Sequence, residues 1–188
     1  VISDQYLPIK AGTDAAFALA MCQVMVEENI FNRDFVISQT DLPLLVNTST
    51  RRFLRGNDLD EDSPEDQFYW WDTDSDAMVE APRVSLQVEG VSPALEGTWT
   101  VKILDGSEIE VTTVWELMKT RLQDYTPELA EPICGVNPDS IRQLARQIAE
   151  KRTKIVEGFN TPKYFHGDLM ERAMILVLAL SGNWGRKG

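Results

Sequence analysis

A glycine, a threonine and an aspartate stand together at a turn near the start of the chain. Gly12 lets the backbone approach a neighbour closely, and Thr13 is a suitable N-cap for the helix that follows. Asp14 then occupies the first helical turn, where a carboxylate interacts favourably with the helix dipole. The stretch contains neither a GxGxxG motif nor a P-loop. The pattern is typical of an ordinary capped helix after a strand, or of a turn that lines a nucleotide crevice.

Three arginines, Arg51, Arg52 and Arg55, form the densest cationic cluster in the sequence. Arginine forks bind phosphate or carboxylate, so one hypothesis is an anion site. The other is pairing with the acidic run that follows, whose members are Asp58, Asp60, Glu61, Asp62, Glu65 and Asp66. Charge runs are usually solvated loops, which favours the pairing hypothesis and predicts a mobile loop.

The residue types that bind metals are sparse. Asp72, Asp74 and Asp76 alternate as at the start of a calcium loop, but position six lacks the glycine and position twelve is Arg83 instead of glutamate. This excludes an EF-hand and leaves only a weak adventitious cation site. The two cysteines are too far apart for a zinc or iron–sulfur motif. One histidine argues against a His-based metal site, and no metal ligand is predicted in this chain.

Five phrases, taken in order, carry a family resemblance. They are PIKAGTDAAFALAM, EENIFNRDFV, TDLPLLV with RRFLR, YTPELAEPICGVNPDSIRQLARQIA, and KYFHGDLMERAMILVLALSGNWGRKG. Together they resemble the large catalytic subunit of molybdopterin oxidoreductases of the dimethyl sulfoxide reductase family. TDLPLLV and YFHGD are most similar to the branch that contains respiratory nitrate reductases, dimethyl sulfide dehydrogenase and ethylbenzene dehydrogenase.

The resemblance implies a molybdenum cofactor carried on two molybdopterin guanine dinucleotides. It places one guanine dinucleotide against Gly12, Thr13 and Asp14, and it brings the later loop Gly158-Phe159-Asn160 near the cofactor. The carboxylate of Asp14 would accept hydrogen bonds from guanine N1–H and from the exocyclic amine.

The resemblance gives the phrase KYFHGD a role at the cofactor and the substrate. His166 would donate to the pterin, and Lys163 or Asp168 would touch substrate. The alternatives are that His166 is a packing residue and that Asp168 caps a helix. The molybdenum ligand and the cysteine motif for the iron–sulfur cluster lie upstream in relatives, so no catalytic residue is assigned here.

For the parent protein, the resemblance implies oxygen-atom transfer or hydroxylation coupled to two-electron transfer. Its partners would be the remaining domains of the same catalytic subunit and an iron–sulfur electron-transfer subunit, while the isolated chain would be inactive. The resemblance leaves the compartment open, although relatives in this branch are often exported to the periplasm. The competing hypothesis is a non-catalytic α/β interaction domain, suggested by the acidic surface and the Trp-rich segment near residue 70.

Composition limits the possible partners and the domain organisation of the chain. The chain of 188 residues is 43% apolar, enough for a core, and carries a net charge of −12. That charge argues against nucleic acid and anionic membranes as partners. The apolar run 175–180 is too short to span a bilayer. We expect one α/β cofactor-binding domain over 1–188, cut from a longer protein, with 56–113 as an insertion rich in loops and hairpins.

The predicted elements form two strand–helix units around that insertion. Strands are expected at 1–9 and 154–157, each followed by a helix that starts near Thr13 or Asp168. Hairpins are expected over 67–81 and around Asp105-Gly106. Further helices are predicted at 33–39, 114–122, from Pro127 onward, and 138–151. The predicted fold is a small parallel sheet with flanking helices and one or two inserted β-hairpins.

Overall fold

The computed structural model describes residues 3–85, 87–159 and 161–185. The chain divides into two compact units. The first comprises Val1–Arg33 with Arg121–Gly188, and the second comprises Asp34–Thr120, which includes the whole of the predicted insertion.

The elements follow in chain order. The helices are α1 (Asp14–Glu27), α2 (Arg33–Gln39), α3 (Gly56–Leu59), α4 (Val114–Leu122), α5 (Pro127–Cys134), α6 (Pro138–Glu150) and α7 (Gly167–Leu180), with 3-10 helices at Gln123–Tyr125 and Thr161–Lys163. The strands are β1 (Leu45–Asn47), β2 (Tyr69–Asp72), β3 (Ala77–Glu80), β4 (Thr98–Lys102) and β5 (Glu108–Thr113). The helix predictions hold to within one or two residues, and both hairpins are confirmed.

Helix α1 is the centre of the first unit. It is apolar on nearly every side, and α5, α6 and α7 pack against it. Because α6 is amphipathic, it buries Ile141, Ala145 and Ile148 against this core. Its outer residue Arg146 forms a bidentate ion pair with Glu28, at 2.6 and 2.7 Å, which lowers the pKa of that carboxyl.

Local signals set the ends of α5 and α6. Thr126 accepts a hydrogen bond from the backbone N–H of Leu129 at 3.3 Å, and Asn137 accepts one from Asp139 at 2.9 Å. Each cap is followed by proline, whose missing N–H costs nothing at the first helical position. Both helix starts therefore follow from the local pair of a capping side chain and a proline.

The second unit contains the strands. Its three-stranded sheet has the order β1-β5-β4, and β2 pairs with β3 as a separate hairpin. All of these pairs are antiparallel. The sheet packs a core around Leu45, Leu54, Val101 and Val111, while Trp70 is buried in a second cluster.

The prediction of a parallel sheet and two strand–helix units is wrong. Within the described residues, neither 3–9 nor 154–157 forms a strand, and Tyr6 and Val156 are 81% and 87% exposed. An extended segment becomes a strand only when a neighbour supplies backbone hydrogen bonds. The strands that do form are joined by short turns, which produce antiparallel pairs.

The last helix buries one face only. Met170, Ala173, Val177 and Leu180 face the core at helical spacing, but Leu169 and other apolar residues are exposed. The sequence of α7 is apolar almost all round and would suggest burial on all sides, but the structure buries only this face. The helix also begins at Gly167, so that its N-cap is His166 and Asp168 lies in its first turn.

The acidic run is tied to its surroundings. Asp58 accepts from the backbone N–H of Arg55 at 2.8 Å, and Glu65 pairs with the Arg55 guanidinium at 3.0 Å. Asp66 pairs with Arg83 at 2.6 Å. The pairing hypothesis is thus confirmed for Arg55. The charge run suggests a free loop. In the structure, three of its acids instead accept hydrogen bonds from nearby backbone and guanidinium donors.

The described residues give no support for a metal site. Asp72 accepts from the Ser75 hydroxyl at 2.6 Å and from the Ser92 N–H at 2.8 Å, so its oxygens already have partners. Across the described ranges, no group of three or more His, Cys, Asp or Glu side chains could hold a metal ion. Cys22 and Cys134 are free and buried, and burial raises the pKa of the Cys22 thiol. No helix in the described part is long and apolar enough to cross a membrane.

Candidate functional site

The turn before α1 is closed by the threonine, but not in the predicted way. Gly12 has φ +79°, and the Thr13 hydroxyl donates to the carbonyl of Lys10 at 2.6 Å. The Thr13 backbone N–H donates to the same carbonyl at 3.2 Å. Thr13 makes no side-chain cap bond to the helix. The predicted N-cap hydrogen bond is therefore wrong, because the hydroxyl acts as a donor within the turn.

Lys10 anchors this turn to the end of α5. Its backbone N–H donates to the carbonyl of Cys134 at 3.0 Å, and its ammonium donates to the carbonyl of Pro132 at 2.8 Å. A lysine at a helix C-terminus is also favoured by the helix dipole. The position of Gly12 thus depends on a helix from the other end of the chain.

Asp14 is the first residue of α1 and is half-buried. The Thr13 carbonyl accepts from the N–H groups of Ala16 and Phe17, at 3.1 and 3.4 Å. The first two N–H groups of the helix, those of Asp14 and Ala15, have no acceptor inside the helix. They can bind an anionic ligand group beside the carboxylate of Asp14.

The later loop is a series of tight turns that leads into α7. Thr161 N–H donates to the Gly158 carbonyl at 3.0 Å, and Gly167 N–H donates to the Tyr164 carbonyl at 2.9 Å. A side chain at Gly167 would overlap the carbonyl of Thr161 and would lie 2.6 Å from the Pro162 Cα. Only glycine allows this approach. Asn160, the remaining predicted contact of the loop, lies outside the described residues.

The polar candidates in this loop are accessible. His166 adopts a left-handed conformation with φ 56° and is exposed, and its ring lies 3.9 Å from that of Phe165. The ammonium of Lys163 lies 4.5 Å from the centre of the Phe159 ring, in a cation–π contact. Asp168 is exposed.

One contact joins the turn and the loop. A Cβ atom at Gly12 would lie 3.4 Å from Cδ1 of the Tyr164 ring. The structure thereby brings the Gly12 turn together with the loop that carries Lys163, His166 and Asp168. Gly158 belongs to the same loop through its hydrogen bond to Thr161.

Sequence reasoning did not single out the aromatic residues of this loop as ligand contacts. Phe159 and Phe165 are 86% and 89% exposed, and Tyr164 is 47% exposed. Large aromatic side chains so exposed commonly mark a binding surface. Their density in a loop interrupted by Gly158 and Pro162 is the signal that was available.

Acidic neighbours set the charge at the edge of the site. Partial burial and the nearby Glu171 carboxylate raise the pKa of Glu157.

The first-turn N–H groups and the Asp14 carboxylate provide donors and an acceptor on one side, and the aromatic loop provides flat apolar surface on the other. This arrangement can hold a planar, hydrogen-bonding ligand with phosphate groups, and its described residues include no paired nucleophile and base.

Comparison with known proteins identifies the relatives of this chain. No family model matches the sequence. The chlorate reductase subunit alpha of Ideonella dechloratans is 37% identical over 193 residues, which cover 99% of this chain and 21% of that protein. The dimethylsulfide dehydrogenase subunit alpha of Rhodovulum sulfidophilum is 36% identical, with 99% of this chain and 21% of that protein covered. The chain belongs to the dimethyl sulfoxide reductase family of molybdoenzymes.

The chain spans about a fifth of the length of the curated relatives it matches. Among solved structures, the acetylene hydratase from Pelobacter acetylenicus has a TM-score of 0.54 at 18% identity, covering 98% of this chain and 16% of that one. That likeness supports the fold. The branch indicated by the sequence is confirmed by the match to dimethylsulfide dehydrogenase in the dimethyl sulfoxide reductase family.

Proposed function

We propose that this chain is a molybdopterin guanine dinucleotide-binding segment of a molybdenum oxidoreductase catalytic subunit. The observation that carries the proposal is the contact between Gly12 and Tyr164. The turn of α1 and the loop before α7, both expected to meet the cofactor, are therefore close together in the first unit. Family membership supports a molybdenum cofactor in the parent protein as the ligand.

The residues of the turn suit the guanine dinucleotide. Gly12 has no side chain and a positive φ, so the backbone can lie close to a ligand. The carboxylate of Asp14 accepts from guanine N1–H and the exocyclic amine, while the first-turn N–H groups meet phosphate oxygens. Thr13 holds the turn closed through its bond to Lys10.

The residues of the loop suit the pterin and the substrate side. His166 is exposed and held as the N-cap of α7, so its ring can donate to the pterin. Gly158 has no side chain, so its backbone groups can meet the cofactor, and the family resemblance gives Asn160 the same role. Lys163 and Asp168 are the candidates for contact with substrate, and the Lys163 ammonium is oriented by the Phe159 ring.

In the complete protein, the bound cofactor supplies oxygen-atom transfer or hydroxylation coupled to transfer of two electrons. This chain contributes binding and orientation. The rest of the catalytic subunit would complete the cofactor site and supply the molybdenum ligand, and an iron–sulfur subunit would exchange the electrons.

The test compares two aspartates that occupy the first turn of a helix in the same unit, Asp14 of α1 and Asp139 of α6. In the complete protein, Asp14→Asn is expected to lower molybdenum content and activity. Loss of a charge-assisted hydrogen-bond pair weakens binding by about 1.5–3 kcal/mol. Asp139→Asn removes the same charge at a helix start that is not among the residues proposed to bind the cofactor, and it is expected to leave both unchanged.

The thermal melt separates binding from folding. Each substitution is expected to change helix stability by only about 0.3–1 kcal/mol. Full molybdenum occupancy and activity in Asp14→Asn would show that Asp14 only terminates a helix. That result would favour the alternative, a domain that keeps the fold without binding cofactor.

A further inference from the structure

The second unit carries the whole net charge of the chain. Residues 34–120 contain 18 acidic and 6 basic side chains, while the first unit contains 12 of each. Arg51, Arg52 and Arg55 make up half of those six bases. These three arginines therefore form a positively charged cluster within a unit whose net charge is strongly negative.

These arginines line one cavity of about 680 Å³ in the second unit. Its polar lining includes Asn47, Thr50 and Asn57, and its apolar lining includes Phe53, Ile103 and Ile109. Pockets for small organic ligands have volumes of roughly 300–1,000 Å³ and combine apolar surface with a few polar groups. The cavity therefore suits a ligand larger than a simple inorganic ion.

Among the described residues, only one of the three arginines that line the cavity is paired with acidic side chains. Asp58 and Glu65 also line it, but both bond to Arg55, through its backbone N–H and its guanidinium. No ion pair of Arg51 or Arg52 occurs within residues 3–85, 87–159 and 161–185. Two exposed guanidinium groups thus keep their donors available beside an apolar floor.

The backbone at Arg51 has an unfavourable conformation for this residue type. The loop after β1 closes with the Asn47 N–H donating to the Arg52 carbonyl at 2.9 Å, and the Arg51 N–H donating to the Asn47 carbonyl at 2.8 Å. At the end of this loop Arg51 has φ 57°, a left-handed region where glycine or asparagine costs less. An arginine at such a position points to a use for its side chain.

We propose that this cavity binds a small organic anion, a carboxylate or phosphate ester with an apolar body. Arg51 and Arg52 bind the anionic oxygens, since guanidinium forks match both groups. The floor around Phe53, Ile103 and Ile109 contacts the apolar part. The residues that line this cavity all belong to the second unit, whereas the residues proposed to bind the cofactor belong to the first.

Phenyl phosphate is a suitable probe because it joins a phosphate to an apolar ring, and inorganic phosphate is its control without the ring. Binding to the complete protein is measured by isothermal titration calorimetry. We expect saturable binding of phenyl phosphate that is tighter than binding of inorganic phosphate. Equal affinity for the two probes, or no binding of phenyl phosphate, would overturn the proposal.

Two substitutions locate the site. Arg51→Gly removes the guanidinium and relieves the left-handed backbone, so the melting temperature is not expected to fall. Arg52→Gln removes the second charge. Each is expected to weaken phenyl phosphate binding about tenfold or more.

The control is Arg83→Gln, which removes a positive charge from the same unit at a residue that does not line the cavity. It is expected to leave the affinity unchanged. Affinities of Arg51→Gly and Arg52→Gln within about twofold of the unaltered protein would place the ligand elsewhere and reject the site.

Discussion

The ring of Tyr164 lies against Gly12, although the two residues come from opposite ends of the chain. A Cβ atom at position 12 would be 3.4 Å from the ring, an ordinary contact distance that the half-exposed tyrosine can accommodate. The contact therefore does not by itself forbid a side chain at position 12. It shows which face of the turn adjoins the loop before α7.

Replacing Gly12 by alanine should affect cofactor content more than folding. Gly12 and Gly90 both have positive φ, at 79° and 69°, and a methyl group at Gly90 would meet no other atom within 4 Å. Alanine at either site is expected to cost about 1–2 kcal/mol, since the left-handed conformation is unfavourable for it. Only Gly12→Ala should lower molybdenum content in the complete protein. Equal molybdenum content in both variants would separate Gly12 from the cofactor.

Gly167 should tolerate substitution by alanine far less well than the nearby Gly158. A methyl group at Gly167 would overlap backbone atoms of Thr161 and Pro162, whereas at Gly158 the nearest atom would be 4.0 Å away. Overpacking of this kind costs about 1–3 kcal/mol. Gly167→Ala is expected to lower the free energy of unfolding in chemical denaturation, and Gly158→Ala to leave it nearly unchanged. Similar free energies of unfolding for the two variants would show that the 3-10 helix at Thr161–Lys163 shifts readily to accommodate a methyl group.

The acidic run should contribute to stability through one of its members. Asp58 accepts the backbone N–H of Arg55 at 2.8 Å at the start of α3, while the structure shows no bond from the Asp62 carboxylate among the described residues. Loss of a helix-capping acceptor costs about 0.5–2 kcal/mol. Asp58→Ala should lower the melting temperature, and Asp62→Ala should not. If the two melt alike, the segment is a free loop, as its charge pattern suggests.

Asp72 should make stability depend on pH in the acidic range. Hydrogen bonds from the Ser75 hydroxyl and the Ser92 N–H hold the pKa of its carboxyl below the ordinary value of 3.8. The ionised form is the one that these donors stabilise. Its contribution is therefore present above pH 3.8 and is lost as the pH falls through the lowered pKa.

Asp72→Asn should accordingly melt at a lower temperature than the unaltered chain near neutral pH. The gap between the two melts should narrow as the pH falls below 3.8. Glu89→Gln neutralises an exposed carboxylate of the same unit and serves as the control. A gap for Asp72→Asn that stays constant with pH would mean that the ionised carboxylate contributes nothing.

Features decided by short stretches of chain could be predicted. The turn at Asp105-Gly106 joins β4 to β5, and the caps at Thr126 and Asn137 start α5 and α6 as their sequences indicate. Each depends on dihedral preferences and hydrogen bonds within a few residues. The same local chemistry marks Gly12 as a position of positive φ.

Features that depend on residues distant in the sequence could not be predicted. Residues 3–9 have the apolar content of a strand, but no neighbouring strand pairs with them in the described structure. Thr13 has two possible hydrogen-bonding roles at a turn, and the position of the Lys10 carbonyl selects the donor role. Local sequence leaves such choices open because their energies depend on groups elsewhere in the chain.

The sequence by itself determined the family, all the α-helices except the short α3, the two hairpins and the residues that could bind an anionic ligand. Only the tertiary structure decided that the sheet is antiparallel, that Tyr164 meets Gly12, and that Arg51 and Arg52 border a cavity without ion pairs in the described residues. Helix and turn energies arise between residues a few positions apart. Strand pairing and the assembly of a site depend instead on which distant segments the folded chain brings into contact.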